Sequence, residues 1–119
     1  MKESIIAALK YHYDISITAL KNKVEGCKGE LDFFYSTAQG ENMNLLFASG
    51  VSEGFVLSFN ELLNEKIISI YPTNLFVVMW DGGETYNLPI AKRINKNKPF
   101  KKTHWLPILV KQGENFPIS

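Results

Sequence analysis

Leu75-Phe76-Val77-Val78-Met79-Trp80-Asp81-Gly82-Gly83 is the most sharply punctuated stretch of the chain. Six consecutive apolar residues bounded by turn signals have the length and make-up of a strand buried on both faces. The following Asp81-Gly82-Gly83 is hairpin chemistry, because glycine accepts the positive φ that a tight turn demands. Residues 84–88 then read as the returning strand, with Pro89 limiting it or marking an edge. In this reading Trp80 closes the core from the end of its strand.

Working upstream, Phe55, Leu57 and Phe59 alternate before a helix signal takes over. Ser58 and Glu61 form a capping-box pattern. Phe59, Leu62, Leu63, Lys66, Ile67 and Ile70 share one helical face, and Pro72 stops the helix. Earlier still, Leu31, Phe33 and Tyr35 alternate with polar neighbours, and residues 38–42 form a turn into a second strand near residues 44–49.

At the N-terminus, Ile5, Leu9, Tyr13, Ile17, Leu20 and Val24 step by three or four, the spacing of one helical face. Gly26 supplies a stop, and Lys21 and Lys23 suit the negative end of the helix dipole. A continuous helix over residues 3–25 would run about 35 Å. Ile15, Ile17 and Thr18, β-branched, weaken it around Asp14, so two helices broken there are the alternative. Downstream, residues 105–110 form the last apolar segment, and Pro107 inside it suggests an edge strand.

The expectation is a single α+β domain over residues 1–119. A long N-terminal helix and a shorter second helix would pack as one layer on a mainly antiparallel sheet. That element order is similar to cystatin-like architecture, a likeness of order alone that implies no activity.

Bulk properties narrow the function classes. With 119 residues, 45% apolar and 15 aromatic, the chain can build a core without staples. A single cysteine, Cys27, cannot form an intrachain disulfide, which favours the cytoplasm. No signal peptide is read, and the six-residue apolar run is far too short to span a bilayer, so no membrane role is expected. Twelve Lys against one Arg, with 10 Asn and 11 Ile, fits an AT-rich bacterial or phage genome.

Catalytic patterns are fragmentary. No phosphate-binding glycine loop or GxSxG elbow occurs. His12 and His104 lie far apart in sequence, and Cys27 has no cysteine partner, so neither metal nor cofactor is expected. Cys27 falls at the negative end of its helix, where a thiolate is disfavoured. Residues 14–24 resemble the second helix of a helix-turn-helix unit, but residues 27–35 read as turn and strand where a recognition helix should stand. The sequence assigns no catalytic residue and leans away from an enzyme.

Charge segregation is the one departure from background. Residues 1–84 hold 6 basic and 11 acidic side chains, whereas residues 85–113 hold 7 basic and no acidic one. Lys92, Arg93, Lys96, Lys98, Lys101 and Lys102, with His104 and Trp105, make a candidate interaction surface over residues 92–105. Cations interleaved with aromatic rings suit single-stranded nucleic acid. The same lysines would also serve a solvated connector, or guard a sheet edge. A third reading is that the acidic body of one protomer meets the basic segment of another, giving a homodimer.

The leading expectation is therefore a small non-catalytic binding or accessory protein that contacts a partner chain or nucleic acid. The alternative is a small-molecule pocket protein or small enzyme of cystatin-like shape. Its cavity would lie between helix and sheet and involve His12, Tyr13 or His104. Trp105, beside His104 and Lys102, would either join the core or face an anionic aromatic ligand.

Overall fold

The computed structural model describes residues 1–94 and 97–117. Its α+β architecture matches the expected class, but several elements differ from their sequence reading.

The N-terminal helix is not continuous. Helix α1 (Lys2–Tyr11) buries Ile5 and Leu9, and His12 caps it in extended conformation. Strand β1 (Asp14–Ser16) follows, then helix α2 (Ile17–Lys23). Ser16 ends the strand and caps the helix, its hydroxyl accepting from Ala19 N. Of the β-branched residues that weaken a helix here, Ile15 is used instead by a sheet, where β1 pairs antiparallel with a C-terminal strand and Ile15 lies opposite Val110, whereas Ile17 and Thr18 open α2. Tyr13, assigned by periodicity to the buried stripe, is 77% exposed.

Strands β2 (Lys28–Ser36) and β3 (Asn42–Val51) form the expected antiparallel pair, interrupted by register shifts. Gly40, at φ +84°, makes the turn possible. Helix α3 (Glu53–Asn64) starts earlier than the capping-box pattern suggested. Ser52, not Ser58, is its cap, accepting from Phe55 N at 3.1 Å. The helix also ends earlier. Lys66, at φ +59°, turns the chain while Ile67 N donates to Leu62 O and Lys66 N to Leu63 O. These two bonds are a Schellman stop with lysine in the usual glycine place. Residues approaching Pro72 are then strand β4 (Ile68–Pro72), not helix.

Residues 75–83 depart furthest from their sequence reading. Leu75–Trp80 is helix α4, capped by Asn74, whose Oδ1 accepts from Val77 N. Gly82 takes the positive φ that the glycine pair promised, but in a helix stop rather than a hairpin. Gly83 N donates to Val78 O and Gly82 N to Met79 O, the same Schellman pattern. Residues 84–88 form no strand.

Strand β5 (His104–Trp105) lies parallel to β3, and β6 (Ile108–Gln112) lies between β1 and β4. The sheet is thus two sheets of three strands, ordered β1-β6-β4 and β2-β3-β5. Pro107 stands in the two-residue step from one sheet to the other, so its missing N–H costs no ladder bond. The strand after it is central rather than an edge. One hydrophobic cluster unites helices and sheets, and Phe33 meets Phe47, Phe55 and Phe59 edge-to-face inside it. Without a long cradled helix, the cystatin-like shape does not form.

Candidate functional site

The basic segment becomes a closed loop. Trp105 N donates to Pro89 O and Ala91 N to Trp105 O, each at 2.9 Å, so the chain leaves and re-enters at one point. Phe100 pins the loop midway: its N–H donates to Met43 O, and its carbonyl accepts from Asn44 Nδ2. The Phe100 ring stacks on His104 at 3.9 Å. His104 Nδ1 donates to Lys102 O, which ties the imidazole into the loop. Lys92, Arg93, Lys98, Lys101 and Lys102 are all exposed, and none forms an ion pair with a described residue. Lys96 lies outside the described residues.

Trp105 is not part of that surface. It is fully buried, its ring edge-on to Tyr86 at 5.2 Å. Burial follows from its position: β5 runs alongside β3, the middle strand of its sheet, with Trp105 opposite Leu46. Its indole N–H has no hydrogen-bond partner among the described residues. The two tryptophans have exchanged roles, because Trp80 is 93% exposed.

Helix α4 explains that exchange. Its six residues are all apolar, yet only Val78 is buried. Phe76 is 77% and Met79 58% exposed, and with Trp80 they lie at the i, i+3, i+4 spacing of one face. A helix that is hydrophobic all round belongs in a core. This one is held at the surface instead, beside a groove of about 520 Å³ between residues 72–76 and 90–92. Phe76 and Ile90 supply its apolar walls, and Lys92 opens the cationic loop at its rim. Sequence pattern finds the apolar run, but burial on one side or two is decided by what packs against it.

A polar network holds α4 and the base of the loop in place. The Asp81 carboxylate accepts from Ser16 N at 2.7 Å and from Ser16 Oγ at 2.8 Å, tying the end of α4 to the start of α2. Gly83 fits against the same point, where a Cβ would approach Ser16 Oγ to 2.6 Å. Lys21 is buried, its ammonium paired with Glu84 and donating to Ser49 O. Ser49 N donates to the Tyr86 hydroxyl, and Ser49 Oγ to Asp32. Burial pushes the Tyr86 phenol above its ordinary value, and the Glu84 and Asp32 carboxylates raise it further. Lysine and phenol are thereby used as hydrogen-bonded supports.

Other chemistry-bearing groups stay apart. Cys27 is a free, buried thiol pushed up to about 11 by burial. A hollow of about 420 Å³ between α1 and α2 includes His12, but neither Tyr13 nor His104 lines it. Among the described residues no group of three or more His, Cys, Asp or Glu is placed to hold a metal ion. Among them, too, no helix is long and apolar enough to cross a membrane. Comparison with protein families, characterised proteins and solved structures finds no match to this chain.

Proposed function

We propose that this chain is a small non-catalytic binding protein, cytoplasmic and of bacterial or phage origin. Its docking surface is the exposed face of α4 together with the cationic loop that follows. The observation that carries this reading is the exposure of Phe76, Met79 and Trp80 on one helix face. Contiguous apolar surface of this kind marks an interaction site, because water is displaced from it only by a partner. Five exposed cations among the loop's described residues add the sign of that partner's charge.

The partner is an acidic protein surface with an apolar ridge. Protein is favoured over nucleic acid because the patch also contains Met79 and Ile90, aliphatic side chains that neither pair with phosphates nor stack as rings on bases. Lysines also outnumber arginine in the loop, which weakens base readout. Two α4 faces meeting across a two-fold axis would bring two cationic loops together, which is repulsive. The acidic body of a second copy fits better, in a reciprocal homodimer.

Light scattering after size exclusion, at low and high salt, tests this directly. A dimer at low salt that dissociates at high salt, and in Trp80→Ser and in the triple variant K98E/K101E/K102E, is the expected result. A monomer at every salt concentration would overturn the homodimer. A salt-sensitive shift with a single-stranded oligonucleotide would replace the protein partner by nucleic acid.

A further inference from the structure

A second concave site lies away from α4 and shares no lining residue with its groove. It is a cavity of about 600 Å³ between the C-terminal half of α3 and the turn-proximal half of the β2–β3 pair, with Ile70 of β4 at its edge. That volume is within the range of small-molecule sites. Its walls are aromatic and aliphatic, with Phe34, Tyr35 and Phe47 on the strands and Leu63 on the helix. We infer that this cavity binds a neutral, planar heteroaromatic molecule of nucleobase size.

Charge comes first in the argument. No charged side chain lines the cavity. The negative end of the α3 dipole lies at Asn64, and the last turn of that helix carries no basic residue. An anion entering here would find no counter-charge and an unfavourable dipole. A neutral ligand meets neither cost.

The polar groups then specify the ligand's edges. Asn60 and Asn64 both line the cavity, one turn apart on α3. Asparagine is a poor helix former, and neither of these two caps the helix. Their side-chain amides form no hydrogen bond with another described residue. Each amide presents a carbonyl acceptor and an NH₂ donor. Across the cavity, Ser36 and Thr37 bring hydroxyls from the hairpin end. Paired amides facing aromatic walls suit a flat ring whose rim alternates donors and acceptors, with its face against the Tyr35 and Phe47 rings, whose centroids lie 6.1 Å apart.

The test uses the full chain and four probes: adenine, uracil, nicotinamide, and nicotinate as the anionic counterpart of nicotinamide. Amide-resolved NMR titration should show at least one neutral ring saturating, with a dissociation constant on the order of 1 mM or tighter. Shifts should concentrate in residues 33–38 and 60–64. Nicotinate should bind at least tenfold more weakly than nicotinamide. Asn60→Leu and Asn64→Leu, both at exposed helix positions, should each weaken the neutral ring at least tenfold, with circular dichroism unchanged. Failure of every neutral probe to saturate would overturn the inference. So would equal binding of nicotinate and nicotinamide, or Asn variants that bind as the parent does.

Discussion

Gly83 shows how much one missing side chain decides. A Cβ there would meet the Ser16 hydroxyl at 2.6 Å and Val78 Cγ1 at 2.8 Å, with Thr18 Oγ1 closer still. None of these groups lies at the free end of a long side chain. Gly83→Ala should therefore destabilise by about 1–3 kcal/mol, read from urea denaturation. Lys21 and Glu84 make a second residue-scale case. Glu84→Gln leaves a buried ammonium without its counter-charge and should cost about 1–3 kcal/mol. Lys21→Met removes that charge and lets the half-exposed carboxylate return to water, so it should cost less than Glu84→Gln. The same denaturation experiment ranks the two. Neither the Asp81–Ser16 contact nor the Lys21–Glu84 pair was legible in the sequence, because more than 60 residues separate the partners. Only the type of residue gave a hint: Asp81 and the glycines announced a special backbone without saying which.

At the scale of the element, the two Schellman stops teach the same lesson with different residues. After α4 the left-handed position is Gly82, which tolerates it; after α3 it is Lys66, which does not. Lys66→Gly should therefore stabilise the protein by about 1 kcal/mol, although it removes an exposed pair with Glu114. A rise in urea midpoint checks this. Helix α4 makes a different prediction. Trp80 supplies the exposed indole and Trp105 the buried one, so Trp80→Phe should leave a blue-shifted emission. Its acrylamide quenching should fall several-fold, with stability unchanged. Apolar content located α4 in the sequence, but a run of six cannot distinguish a buried strand from a surface helix. Asn74, with its side chain accepting from Val77 N, was the local sign of a helix start.

For the whole molecule, pH acts through Cys27. Below the ordinary thiol range both folded and unfolded chains keep the proton, and the thiol has no effect on stability. As pH rises through that range the unfolded chain ionises first, so stability falls until the folded thiol titrates near 11. Urea denaturation across this interval should show that decline, and Cys27→Ala should lack the thiol's share of it. Charge is the other global quantity, and the salt dependence of association reads it. The run of basic residues was legible, since a stretch without a carboxylate is a fact of composition, but the burial of Trp105 within it was not. Fold class was legible for a related reason: helical and alternating periodicities survive in any packing. Composition and periodicity are local, and the chain by itself determined the α+β class, the β2–β3 pair, the lone cysteine and the basic segment. Tertiary structure alone decided that residues 14–16 join a sheet instead of extending a helix, because β6 offered them ladder partners. It also decided which tryptophan is buried and which cavity gathers Asn60 and Asn64, since burial depends on what comes to lie opposite a side chain.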